Sequence, residues 1–215
     1  MSRPSEEPRG RLAACDPAVT PEFSFDRRRT LLGMAHEAII STLEGRAAEE
    51  REIANWLLEK RGVFTTLYLK RGLHNRAEHQ LRGCVGYALP IAALGRAVME
   101  TARAAAFDDS RFAPVTLEEA FELEISLSIL SSLRAIRADE VKIGRHGLLI
   151  SDGARRGLLL PQVPVENGWD REKFLEQTCR KAGLPLDAWR NDARIEAFSA
   201  EVFGDFDFDP AAESA

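Results

Sequence analysis

At 215 residues, 45% hydrophobic and 29% charged, the chain is long enough to bury a sizeable core and has an ordinary globular composition. Its net charge of −5, with arginines spread along its length, makes it a poor partner for phosphate backbones, so no nucleic-acid binding is expected. No apolar run approaches the roughly 20 residues that span a bilayer, and residues 1–16 lack the apolar stretch of a signal peptide, so a cytoplasmic protein without membrane contact is expected.

Residues 1–22 mix four prolines with charges and read as a flexible tail. Asp26 has the character of an N-cap. Leu31, Ala35, Ile39 and Leu43 follow at four-residue spacing, which predicts an amphipathic helix ending near Gly45. Residues 46–61 are charged and predict a short helix or ordered loop. Val63, Phe64, Thr65, Thr66 and Tyr68 predict a strand over 62–70. A polar loop with His74, Asn75 and His79 then leads into a second strand, the two forming a hairpin.

Pro90 marks a helix start, and Leu94, Val98, Ala102 and Ala105 form a stripe of mostly small residues suited to close packing. The segment 108–114 breaks that helix, and Thr116 with Glu119 has capping-box spacing. Leu123, Ile125, Leu127 and Ile129 alternate with Glu124, Ser126 and Ser128, which predicts a strand with one apolar and one polar face. Residues 147–151 and 157–163 predict a second hairpin around Asp152-Gly153. Asp170 caps a helix with a Trp169–Phe174 hydrophobic staple and a stop at Gly183. A last strand is expected over 194–203, before an acidic tail over 205–215 that is expected to fray. Strands outnumber βαβ units, so the expected class is α+β with a mainly antiparallel sheet.

The segment Leu81-Arg82-Gly83-Cys84-Val85-Gly86 concentrates the chemistry. Strict alternation puts Leu81, Gly83, Val85 and Tyr87 on one face and Arg82, Cys84 and Gly86 on the other. The glycines leave room for another backbone or a ligand to approach the thiol. A guanidinium on the cysteine's face favours thiolate, and an arginine fork can grip a carboxylate or phosphate. The competing reading makes Cys84 a small buried hydrophobe and Arg82 one half of a cross-sheet salt bridge. Glu124, on the polar face of its strand, is a candidate proton handler or a partner for Arg82. Asp109 and Arg111 are candidates for substrate contact or for an Asx-turn with an ion pair. Gln162 is a candidate donor to a substrate oxygen.

The three cysteines, Cys15, Cys84 and Cys179, are far apart without a CxxC pair and read as reduced thiols. Cys179 has core spacing with Leu175 and Ala182. Lys181 suits the end of its helix. The four histidines form no ligand motif, so neither a metal nor another cofactor is expected.

Residues 81–86 resemble the LRGCIG signature of the AMMECR family, whose bacterial and archaeal members belong to the AmmeMemoRadiSam system. Residues 104–112 are similar to the family's AAFxDPRF, with Ser110 in place of its proline, which should loosen that turn. Residues 123–130 resemble its EISVL strand, and 157–163 its GLxLPQV. Glu166, Trp169, Phe174, Leu175, Cys179, Lys181, Ala182, Gly183 and Leu184 fall at the spacing of its E..W....FL...C.KAGL segment. The match spans about residues 23–204.

The resemblance implies two unequal lobes, the larger built from both chain ends and the smaller inserted from the middle. It also implies two partners, a Memo-like protein of the extradiol-dioxygenase type and a radical-SAM enzyme. Two functions follow as expectations. The first is a cysteine-dependent enzyme for a small anionic metabolite, with Cys84 and Glu124 in catalysis and Arg82, Gly83, Gly86, Asp109, Arg111 and Gln162 around the substrate. The second is a non-catalytic partner of the Memo-like protein.

Overall fold

The computed structural model describes residues 21–47, 54–70 and 79–208. Nearly all of the expected N-terminal tail, together with Cys15, His74 and Asn75, lies outside the described residues. The elements run α1 (Phe25–Leu43), β1 (Lys60–Lys70), β2 (His79–Ala93), α2 (Leu94–Phe107), α3 (Leu117–Ala120) and β3 (Leu123–Leu130). They continue as β4 (Arg134–Ala135), β5 (Gly147–Asp152), β6 (Arg155–Leu159), α4 (Gln162–Glu166), α5 (Arg171–Lys181), β7 (Arg194–Phe198) and β8 (Ala200–Gly204). Among the described residues no helix is long and apolar enough to cross a membrane.

The fold is α+β, with two antiparallel four-stranded sheets in the orders β2-β1-β3-β8 and β4-β7-β5-β6. The first sheet draws on both ends of the chain, and the second is built wholly from residues between β3 and β8. Val63, Leu67, Ile125, Leu127 and Ile129 put alternate apolar side chains against α1 and α2, forming the first core. The small residues of α2 let it settle close to the sheet, where the Thr65 and Thr101 hydroxyls meet at 2.7 Å. In the second lobe Phe174, Leu175 and Cys179 of α5 pack on Leu148, Ile150, Ile195 and Ala197.

Several local signals act as read. Thr116 and Glu119 form a reciprocal capping box. Asp170 caps α5 by accepting from the Lys173 N–H at 2.7 Å. Gly45 and Gly183 take positive φ just past the ends of α1 and α5. The cap of α1, however, is Ser24, whose hydroxyl accepts from the Arg27 N–H; Asp26 lies inside the first turn. Ser24→Ala should therefore cost about 0.5–1 kcal/mol in a urea melt, and Asp26→Ala only a few tenths. The reverse order would move the cap to Asp26.

Four expectations need correction. Pro90 does not start α2: β2 runs on to Ala93, because pairing resumes at Arg61–Ala92 after a bulge that takes up the imino residue's missing donor. Residues 160–163 leave the β5–β6 hairpin and enter α4. The expected last strand is two strands, β7 in the inserted lobe and β8 in the main sheet. The break falls at Ser199, whose N–H donates to the Ser131 hydroxyl and whose carbonyl accepts the Ser131 N–H, both at 2.9 Å. The acidic segment after β8 is ordered through Phe208 as a 3-10 turn. There the Asp205 carboxylate accepts from the Ile125 N–H at 2.7 Å and pairs with His36 at 2.8 Å.

Candidate functional site

Cys84 pairs with Thr66 across β1–β2, and Thr66 pairs with Ser126 across β1–β3. Because the neighbouring Thr65 points to α2, Thr66 and Cys84 point to the opposite face. The Thr66 hydroxyl donates to the Cys84 Sγ at 3.3 Å, and the thiol is half-buried. The next row on that face is Leu81, Tyr68 and Glu124. Burial pushes the Tyr68 phenol up, and the neighbouring Cys84 raises it further. Glu124 and Ser126 are both buried, so this polar face is not open to solvent as the alternation alone implies.

A one-residue bulge overrides the strict alternation. Leu67 pairs with Gly83 and Tyr68 with Leu81, so Arg82 is the extra residue and Leu81 joins the Cys84 face. The Arg82 side chain, 10% exposed, forms a two-pronged bridge to Glu119, with Nε and Nη2 each 3.0 Å from a carboxylate oxygen. Nη2 also donates to the Pro114 carbonyl at 3.2 Å. Arg82 holds the Glu119 carboxyl below the ordinary carboxylate value, with burial opposing it and the capping-box N–H of Thr116 adding to it. The fork is thus filled by Glu119 and not by Glu124. Glu119 was legible only as a helix cap; nothing in the sequence marks its second role.

The flanking glycines admit backbone. A Cβ on Gly83 would run into the Ala105 carbonyl of α2, and one on Gly86 would strike Val63 and Phe64 of β1. Of the two occupants expected beside the thiol, a neighbouring backbone takes both positions.

The loop after α2 reaches the free edge of β2 at Cys84 itself. The Asp109 carboxylate accepts from the Cys84 N–H at 2.9 Å and from the Arg111 N–H at 3.2 Å, the latter an Asx-turn. Arg111 Nη2 sits 2.7 Å from Asp109 and donates to the Cys84 carbonyl at 3.4 Å. Bonding to the Arg111 guanidinium first, and to the Cys84 N–H second, holds the Asp109 carboxyl far below the carboxylate range. The Arg111 side chain is 55% exposed while Asp109 is 7% exposed, so a buried carboxylate fixes an accessible cation beside the cysteine. Phe112 anchors the loop with its ring near both guanidinium groups. The turn at Ser110 closes through the Phe112 N–H, which donates to the Asp109 carbonyl at 3.0 Å.

The fold therefore brings Cys84, Asp109 and Arg111 together, adds Thr66 and Tyr68, and sends Arg82 toward Glu119. Alternation along β1 offered a signal for Thr66 and Tyr68 once the register with β2 is known. Gln162 is exposed on the first turn of α4 in the inserted lobe, on a different sheet unit from Cys84. Among the described residues, no cluster of three His, Cys, Asp or Glu side chains is placed to hold a metal.

A family model described as AMMECR1 matches residues 32–203. The chain is 43% identical over 192 residues to Protein MK0488 of Methanopyrus kandleri, a match covering 85% of this chain and 90% of that one. It is 48% identical over 155 residues to Protein TK0174 of Thermococcus kodakarensis, covering 68% and 74% of the two chains. The crystal structure of uncharacterized protein PH0010 from Pyrococcus horikoshii is similar with 40% identity and a TM-score of 0.61, covering 81% of this chain and 89% of that chain.

Proposed function

This chain belongs to the AMMECR1 family, and from that premise we propose that it is a cysteine-dependent enzyme acting on a small anionic metabolite at Cys84. The observation that carries the reading is the pairing of a half-buried thiol that accepts a hydroxyl hydrogen bond with an accessible guanidinium fixed at the same residue. Cys84 supplies the reacting sulfur, with the Thr66 hydroxyl bonded to its Sγ and the Arg111 guanidinium bonded to its carbonyl. Arg111 receives the substrate's carboxylate or phosphate, and Asp109 holds Arg111 in place. Tyr68 and Glu124, one row away, handle protons. Arg82 supports the bulge at the start of the signature: its Nε and Nη2 are taken by Glu119 and the Pro114 carbonyl, and its Nη1 is buried away from the surface. A Memo-like protein and a radical-SAM enzyme are the proposed source and destination of the metabolite.

A second reading, a non-catalytic partner of the Memo-like protein, is favoured by one observation. Arg82 and both glycines of the signature serve internal contacts.

Alkylation at neutral pH, resolved by peptide mass spectrometry, separates the two. Cys84 should alkylate faster than a free thiol such as glutathione. Arg111→Ala should slow it severalfold, and Thr66→Val should slow it less. Cys179 is fully buried with its thiol pushed up by that burial, and it should stay protected until unfolding. If Cys84 is protected as well, or if Arg111→Ala leaves its rate unchanged, the enzyme reading fails. A pull-down with the Memo-like protein is then the next test.

A further inference from the structure

Two segments that resemble the family pattern, 157–163 and 166–184, take no part in the Cys84 site, yet they meet in the inserted lobe. Gly157 on β6 is the contact point. A Cβ there would strike the backbone of Lys181 and Ala182, so only glycine lets the end of α5 press onto the strand. Leu159 lies two residues on, on the same face of β6. Beside it is a hollow of about 340 Å³ lined by Leu159, Trp169, Gln177, Arg180 and Lys181.

The charges around this hollow are unevenly used. On α5, Lys173 pairs with Glu176 at 3.1 Å, Glu172 pairs with Arg190, and Arg171 donates to the Asp139 carbonyl at 3.0 Å. Arg180 and Lys181 have no side-chain partner among the described residues, and both line the hollow. Two cations in a last turn complement the helix dipole. Trp169 packs part of its indole against the core of the inserted lobe and leaves the rest in the hollow beside Gln177 and these two cations. An apolar floor, an aromatic wall, one amide and two unused cations make a receptor for a flat molecule with a negative end.

We propose that this hollow binds a small planar anion, an aromatic ring bearing a carboxylate or phosphate, with the ring at Trp169 and the negative group at Arg180 and Lys181. The site is separate from Cys84 and stands or falls without it.

The test is a heteronuclear NMR titration of the full chain, following the Trp169 indole N–H, assigned through Trp169→Phe. Benzoate and adenosine monophosphate are the probes, with adenosine and inorganic phosphate as controls. At least one probe should move the signal saturably and bind about tenfold tighter than either control. Replacing Arg180 and Lys181 together by glutamine should weaken that probe about tenfold without lowering the melting temperature. Lys181→Gln alone serves if the double variant does not fold. Which probe wins distinguishes carboxylate from phosphate. The proposal is overturned if neither probe moves the Trp169 signal at millimolar concentration, if phosphate alone binds equally well, or if the glutamine variant binds unchanged.

Discussion

Gly83→Ala is expected to lower the melting temperature by about 10 °C. The added methyl meets the Ala105 carbonyl of α2, a backbone atom that cannot rotate aside. Relief requires α2 to move off β2, and α2 carries Ala97, Val98, Ala102 and Ala105 into the main core. Overpacking of this kind costs about 3 kcal/mol. In a domain of this size each kcal/mol is worth about 2–4 °C. Gly33→Ala is the control with opposite sign. Gly33 lies inside α1 with nothing within reach of an added Cβ, so alanine there should stabilise by about 0.5–1 kcal/mol through helix propensity. Equal melts for Gly83→Ala and the parent would mean that α2 does not press on β2, and would return Gly83 to the pool of substrate-contacting positions.

Arg82→Ala should cost about 2–4 kcal/mol, because it strips a two-pronged partner from a carboxylate that is itself only partly solvated. The effect has a signature in pH. Glu119 is held below its ordinary value of 4.5 by Arg82 first, so the folded chain binds this proton less readily than the unfolded one. The stability it contributes is present in full above that value and is lost as pH falls through the folded one. The parent protein should thus lose stability more steeply than Arg82→Ala as pH falls below 4.5, and the two curves should converge in acid. Parallel curves would mean that the bridge is not formed in solution. Arg82→Ala should leave the Cys84 alkylation rate almost unchanged where Arg111→Ala slows it. The two arginines near the signature then separate cleanly, one as framework and one as site.

Much of the architecture was legible because its causes are local. Four-residue spacing marked α1, the capping box marked α3, and the staple with its Asp170 cap marked α5. Period-two alternation marked β1 and β3, and the ordered motifs pointed to the family and its two-lobed α+β fold. Each of these depends on residues within a few positions of one another, so the sequence carries the whole of the information. What the sequence alone did not carry is which distant group each side chain meets. A single extra residue at Arg82 turns Leu81 toward Cys84 and sends Arg82 to Glu119 instead of across the sheet to Glu124. The Ser131–Ser199 exchange divides one apparent strand between two sheets. The loop after α2 reaches back to cap the Cys84 N–H with Asp109. Register, bulges and loop closure are set by the balance of the whole packed structure, and a one-residue slip reverses every side chain beyond it. The cysteine was therefore a feature of the sequence, whereas the cation that accompanies it was chosen only by the fold.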